Sequence, residues 1–182
     1  INTINDLIYY YSDSNNERTV ELAKQALLLV NNATSKRQAA TIYLNYAYAI
    51  ETIGQYSESI RYNEKALEIL KELNDTSSLS VIFNNLGIGY NQLGDYSMAV
   101  HNLLLAIEID EARKDTTGLG IDYINLSEAY YFSKNYQAAQ YWAKRAFNTI
   151  NTNSDRSELP YAAETLALAY IELGKLDSAK IL

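Results

Sequence analysis

Residues 84–100 read NNLGIGYNQLGDYSMAV and place a small residue, an aromatic residue and a glycine within one short stretch. Gly87 and Tyr90 lie at helical spacing on one stripe. Gly94 follows the apolar run, at the point where a helix that ends in a left-handed conformation favours glycine. Beyond it, apolar residues recur at helical spacing from Ala99 onwards. The stretch therefore predicts a helix, a tight turn and a second helix.

The same pattern returns every 40 residues in both directions. Four alanines share one position of the repeat, and glycines and tyrosines share two others. These residues are Ala26, Ala66, Ala106 and Ala146; Gly54, Gly94 and Gly174; and Tyr10, Tyr90, Tyr130 and Tyr170. A single helix pair cannot bury its apolar face, whereas stacked pairs can. The period therefore predicts an all-α solenoid of helix pairs without strands.

This unit resembles a tetratricopeptide repeat. The resemblance lies in Leu86, Gly87, Tyr90, Gly94, Tyr96, Ala99 and Ala106. The period of 40 is longer than the usual repeat of about 34 residues. It is similar to the repeats of kinesin light chains, spindle-orientation adaptors and bacterial sensor-regulator proteins. The resemblance implies a right-handed solenoid of antiparallel helix pairs with about four and a half repeats.

We expect one solenoid domain over residues 1–182, with units at approximately 1–34, 35–74, 75–114, 115–154 and 155–182. The chain begins at Ile1 without a methionine and ends at Leu182, a few residues into a predicted helix. We therefore expect a piece of a longer protein, in the cytoplasm or the periplasm of a bacterium.

Polar residues at the same 40-residue step precede the first helix of each unit. They are Ser35, Asp75, Asp115 and Asp155. Such side chains accept hydrogen bonds from backbone N–H groups at helix N-termini. Ser35 with Gln38, and Asp155 with Glu158, also fit the capping box. These acidic residues therefore indicate helix caps rather than a metal site.

Composition excludes several classes of function. The formal net charge is −7 and no basic stripe occurs, which argues against nucleic acids and anionic membranes. There is no cysteine, and the apolar runs are too short to span a bilayer. No phosphate-binding glycine motif is present, and the single His101 falls on an outward position. We expect no cofactor, no metal and no enzymatic activity.

Asparagine recurs on the first helices, two positions before the small residue that packs inward. This column contains Asn5, Asn45, Asn85 and Asn125, with Thr165 in the last unit. In the family that the repeat resembles, this face lines the concave groove. An amide offers a donor and an acceptor, so a ladder of amides can satisfy the peptide groups of a bound segment. Alternatively, each amide bonds the neighbouring repeat and sets the stacking angle.

The predicted groove also contains residues that lie beside this column. They are Tyr48, Asn84, Ile88, Asn91, Glu128 and Tyr131. Lys and Arg are missing from this surface, so we expect it to reject acidic chaperone tails. The composition favours a protein or peptide partner that is neutral or weakly basic and has apolar anchors.

The leading hypothesis is a protein- or peptide-binding scaffold, the sensor or regulatory module of a larger protein, that holds an extended or helical segment in its groove. The alternative is a structural module that dimerises and has no separate ligand. An enzyme is the third possibility, but no nucleophile–base pair, metal cluster or phosphate loop supports it.

Overall fold

The computed structural model describes residue 8, residues 16–31 and residues 34–181. Within these residues every regular element is a helix, and no strand occurs. The helices are α1 (Asn16–Leu28), α2 (Lys36–Glu51), α3 (Tyr56–Glu72), α4 (Thr76–Gln92), α5 (Tyr96–Arg113), α6 (Thr116–Phe132), α7 (Tyr136–Thr152), α8 (Leu159–Glu172) and α9 (Leu176–Ala179). The predicted all-α fold of antiparallel helix pairs is confirmed.

Contacts divide the chain into two compact units, residues 1–89 and residues 90–182. In the first unit, α2 packs against α1 and α3; in the second, α6 packs against α5 and α7, and α8 packs against α7 and α9. Each first helix of a repeat thus contacts the second helix that follows it. The organisation of all repeats as one domain stays a prediction.

The core of the first unit is built from small residues flanked by larger ones. Ala47 and Ile50 on α2 are fully buried, and the rings of Tyr46 and Tyr62 pack edge to face with their centroids 4.7 Å apart. Edge-to-face pairs of this kind are favourable because ring edges and faces carry opposite partial charge.

The core of the second unit follows the same plan. Leu103 and Leu126 are fully buried between α5 and α6, and Ala106 and Ala146 hold the repeat positions that the sequence predicts to face inward. Because alanine projects so little, helix backbones can approach closely at these positions.

Four first helices end in the same left-handed turn. Gly54, Gly94 and Gly174 have φ of 78°, 79° and 70°, and Lys134 occupies the equivalent place with φ of 64°. The N–H of the next residue then bonds back to the carbonyl five residues earlier, as from Asp95 to Tyr90 at 3.0 Å. This is the Schellman closure of a helix, and it confirms the prediction from the glycine column.

Replacing Lys134 by glycine should raise the free energy of unfolding by about 1 kcal/mol, because a left-handed conformation strains any residue with a Cβ atom. Lys144→Gly, at an exposed position in the middle of α7, is the matched control. It should lower stability by about 1 kcal/mol, since glycine weakens helix interiors. Urea unfolding midpoints measure both changes, and a loss of stability in Lys134→Gly would contradict the prediction.

The predicted helix caps are confirmed at three of four positions. Ser35 forms a capping box with Gln38, Asp75 accepts from the Ser78 N–H at 3.3 Å, and Asp115 accepts from the Gly118 N–H at 3.0 Å.

The fourth predicted cap, at Asp155, is wrong. Asp155 accepts from the Ser157 N–H at 2.9 Å in a local turn, and α8 begins at Leu159. A helix that started directly after Asp155 would place Pro160 beyond its first turn, where the missing N–H and the ring break the helix. With the later start, Pro160 lies in the first turn, which accepts proline, and the capping box with Glu158 does not form.

Candidate functional site

A pocket of about 300 Å³ lies between the first helices α6 and α8 in the second unit. It is open to solvent, and its wall combines carboxylates, aromatic rings and apolar side chains. The lining residues are Gln92, Ser127, Glu128, Tyr131, Phe132, Tyr161, Glu164, Thr165 and Leu168. On each helix they recur at spacings of three and four, so they form one stripe along each helix.

The two helices present these stripes because their other faces are used for packing. On α6, Leu126 and Ala129 are fully buried, and on α8, Ala162 and Ala169 are fully buried. Small and aliphatic residues therefore hold both helices in place, which leaves the polar and aromatic stripe facing the pocket.

The pocket is acidic. Burial first, and then the negative charge of Glu164, raise the pKa of Glu128. The hydroxyl of Tyr131 donates to Glu172 Oε1 at 3.3 Å, and burial together with the charge of Glu172 raises the pKa of this tyrosine. Neither α6 nor α8 contains a lysine or an arginine. The site therefore favours a ligand group that carries positive charge or no charge.

Aromatic rings form much of the pocket wall. Phe132 is 51% exposed and Tyr161 is 60% exposed, although both are large apolar side chains. The rings of Tyr131 and Phe132 meet nearly at right angles, with their centroids 5.6 Å apart. Leu168, which is 38% exposed, adds aliphatic surface. Such rings and apolar side chains can hold an apolar or amphipathic group.

The structure brings two of the predicted groove residues into this pocket, Glu128 and Tyr131. Asn125 on α6 is half-buried and has an interaction partner in the protein, and Asn91 is buried. Neither asparagine is among the pocket-lining residues. Thr165, the last member of the asparagine column, lines the pocket and donates its hydroxyl to the Ala162 carbonyl at 3.1 Å.

The remaining predicted groove residues belong to the first unit. Asn45 and Asn85 are half-buried, and Asn45 has an interaction partner in the protein. Tyr48 is exposed, Ile88 is half-buried and Asn84 is buried. Asn5 lies outside the described residues.

Sequence reasoning missed Phe132 and Tyr161. Phe132 lies four residues after Glu128, and Tyr161 lies three residues before Glu164, so helical spacing places them on the same stripes. The spacing was the signal that could have identified them. The 40-residue columns hid it, because Gln92 occupies the position of Phe132 and Ile121 that of Tyr161 in neighbouring repeats.

A second type of cluster, outside the pocket, pairs aromatic rings with a cation in each unit. In the second unit, Arg145 lies over the rings of Tyr123 and Trp142, 4.4 and 5.1 Å from their centroids, and contacts Glu111 at 3.3 Å. In the first unit, Lys65 lies 4.5 Å from the ring centroid of Tyr62. Trp142 therefore packs between helices, as its sequence position predicts.

Other classes of site have no support within the described residues. No group of three or more metal-ligating side chains occurs there. His101 is exposed on α5. No described helix combines the length and the apolar character that crossing a bilayer requires.

Comparisons with known proteins agree with the fold. A sequence model of the tetratricopeptide repeat matches residues 38–112 and 78–152. The structure of BtubC from P. vanneervenii is similar, with a TM-score of 0.80, 20% identity, and coverage of 98% of this chain and 77% of that one. Comparison with curated proteins gives no match.

Two further structures share the fold. A signal transduction ATPase from Pyrococcus horikoshii, described as having a tetratricopeptide repeat sensor, has a TM-score of 0.80 at 19% identity, over 97% of this chain and 28% of that one. NprR in complex with its cognate peptide NprX has a TM-score of 0.56 at 14% identity, over 98% and 64%. No catalytic family is indicated. Because the repeat model matches more than half of its residues, this chain belongs to the tetratricopeptide repeat family.

Proposed function

We propose that this chain is a binding module that holds an extended or helical segment of a protein against its first helices. It serves as the sensor or regulatory part of a larger protein. The partner segment is neutral or weakly basic and carries apolar anchors. The observation that carries this proposal is the pocket between α6 and α8, with its exposed rings and carboxylates.

Exposed aromatic surface supports a binding role. Scattered exposed apolar residues are normal on a soluble protein, whereas a concave patch with a few polar groups marks a binding site. Phe132, Tyr161 and Leu168 form such a patch around Glu128 and Glu164. An apolar side chain from a partner would remove these rings from water, which favours binding.

The structural relatives support the same function. The family consists of repeat scaffolds that mediate protein interactions. One relative is described as a sensor and another as a complex with its cognate peptide. The fold of this chain is therefore compatible with peptide recognition on the first helices.

A selection from a random peptide library tests the proposal. Immobilised protein should enrich peptides with apolar residues at fixed spacing, and Leu168→Arg should weaken their binding by roughly tenfold or more, since a buried apolar contact and the shape of the pocket are both lost. Ile171→Arg is the matched control, because Ile171 is exposed on the same helix and does not line the pocket. No enrichment, or equal effects of both variants, would refute the proposal.

The same selected peptides separate the two readings of the asparagine column. If Asn45 and Asn85 bond a ligand, alanine variants should bind peptide more weakly and keep their stability, since alanine is the better helix former. If they set the stacking of repeats, each variant should lose about 1 kcal/mol of stability. Urea midpoints of the two variants decide between these outcomes.

Dimerisation without a separate ligand is the competing function. Light scattering over a range of protein concentrations distinguishes it, because a dimer dissociates on dilution. A concentration-independent monomer that binds selected peptides supports the binding module.

A further inference from the structure

The pocket between α6 and α8 has the charge that attracts a cation. Glu128 and Glu164 both line it, and Glu172 accepts from Tyr131 at its edge. No lysine or arginine is among its described lining residues, and the sequences of α6 and α8 contain neither. A ligand group that enters therefore meets negative charge that the surrounding helices do not neutralise.

The carboxylate of Glu128 is partly removed from water. Burial and the neighbouring charge of Glu164 both raise the pKa of Glu128, because each disfavours its ionised form. A positive charge between the two carboxylates would have the opposite effect on each. The electrostatic gain on binding a cation is larger at such a site than at a fully solvated one.

The rings that line the pocket supply a second attraction. A cation within about 6 Å of an aromatic centroid interacts favourably with the face of the ring. Phe132 and Tyr161 are each more than half exposed. Leu168 offers aliphatic surface beside them, which suits the apolar stem of a long basic side chain.

This protein already contains a complete arrangement of the same kind. Arg145 lies over the rings of Tyr123 and Trp142 and contacts the carboxylate of Glu111 at 3.3 Å. The pocket presents the same groups, rings and carboxylates, without a cation among its described lining residues. Its volume of about 300 Å³ is at the lower limit of small-molecule sites, roughly 300–1,000 Å³. It therefore fits one side chain rather than a larger ligand.

We propose that this pocket binds the basic side chain, a lysine ammonium or an arginine guanidinium, of the segment that the module recognises. Glu128 and Glu164 bind the charge, while Phe132 and Tyr161 hold the stem and the cation between them. The inference rests on the proposed function, since it assigns the anchor of the bound segment.

A titration with single amino-acid derivatives tests the anchor without a known partner. The probes are Nα-acetyl-lysine methylamide and Nα-acetyl-arginine methylamide, and the uncharged control is Nα-acetyl-norleucine methylamide. In ¹⁵N-labelled protein, the basic probes should cause saturable shifts of the amide signals of Glu128, Phe132 and Glu164, and the norleucine probe should not. Absence of saturable shifts, or equal shifts with norleucine, would overturn the proposal.

Variants assign the shifts to the pocket. Glu128→Gln combined with Glu164→Gln should weaken the basic probes by about tenfold to a hundredfold, the range for hydrogen bonds to charged groups. Phe132→Leu should weaken them by roughly two- to thirtyfold. Glu108→Gln, an exposed acidic residue on α5, is the control and should bind like the parent protein. Thermal unfolding of each variant verifies that it is folded; unchanged binding in the double variant would refute the site.

The outcomes separate this inference from the proposed function. If the basic probes bind but no library peptide is enriched, the peptide-binding function is wrong and the cation site stands. If peptides are enriched and bind the Glu128→Gln, Glu164→Gln protein as tightly as the parent, the function stands and the cation anchor is wrong.

Discussion

Replacing Gly120 by alanine should lower the free energy of unfolding by about 1–3 kcal/mol, the usual effect of overpacking a core. A Cβ atom at this position would lie 2.6 Å from Cγ1 of Ile150 and 3.2 Å from its Cδ1. Carbon atoms prefer separations of about 3.5–4.0 Å. Ile150 is 3% exposed in the middle of the core, and a β-branched side chain in a helix has one strongly preferred rotamer. It therefore has little room to move away.

Helix propensity predicts the opposite sign. Alanine favours a helix interior over glycine by about 1 kcal/mol. In a protein that already carries Ile150→Ala, the clashing atoms are gone, so Gly120→Ala should then raise stability by about 1 kcal/mol. Urea unfolding of the parent, both single variants and the double variant measures this coupling. A Gly120→Ala protein more stable than the parent would show that α6 and α7 separate easily.

Stability in the first unit should fall as pH rises through neutrality because of Glu51. Burial raises the pKa of Glu51 from its ordinary value of 4.5 to about 7, and the hydroxyl of Ser59, which donates to Glu51 Oε2 at 3.2 Å, offsets this in part. The folded state therefore binds a proton more tightly than the unfolded chain. Its contribution is fully present below about pH 4.5 and is lost as pH rises through 7.

The size of this effect follows from the two pKa values. Between about pH 5.5 and pH 8.5 the contribution of Glu51 should fall by roughly 2 kcal/mol, since each unit of pKa shift corresponds to about 1.4 kcal/mol. Glu51→Gln removes the titration, so the difference between parent and variant should change by that amount over this range. Urea midpoints at three pH values measure it.

Glu64→Gln provides the control for this experiment. Glu64 is exposed on α3, so its variant should follow the pH dependence of the parent protein. Parallel curves for Glu51→Gln and the parent would show that Glu51 does not titrate as its burial predicts.

Much of the fold was predictable because its signals are local. A left-handed turn selects glycine at Gly54, Gly94 and Gly174 through the conformation of one residue. A helix cap requires a polar side chain three positions before the N–H it binds, as at Ser35 and Asp115. Repetition at 40 residues strengthened each signal. These features depend on backbone geometry over a few residues, which the order of amino acids specifies directly.

The candidate site was predictable in part. The absence of cations and the positions of Glu128 and Tyr131 followed from helical spacing on the first helices. Phe132 and Tyr161 were missed because they depart from the repeat columns. Asp155 was assigned to a cap because it keeps the 40-residue step, but Pro160 moves the start of α8 to Leu159. A repeat pattern describes what the units share, whereas a binding site is built from residues in which they differ.

The sequence by itself determined the helix pairs, their turns, most of their caps and the acidic character of the first helices. Tertiary structure decided which residues meet. Gly120 and Ile150, or Glu128 and Glu164, are separated by 30 residues or more along the chain. The sequence indicates glycine at position 120 as a weak point of a helix, and only packing against α7 makes it necessary. The pKa of Glu51 likewise depends on how much of its carboxylate neighbouring helices remove from water, which local sequence does not specify.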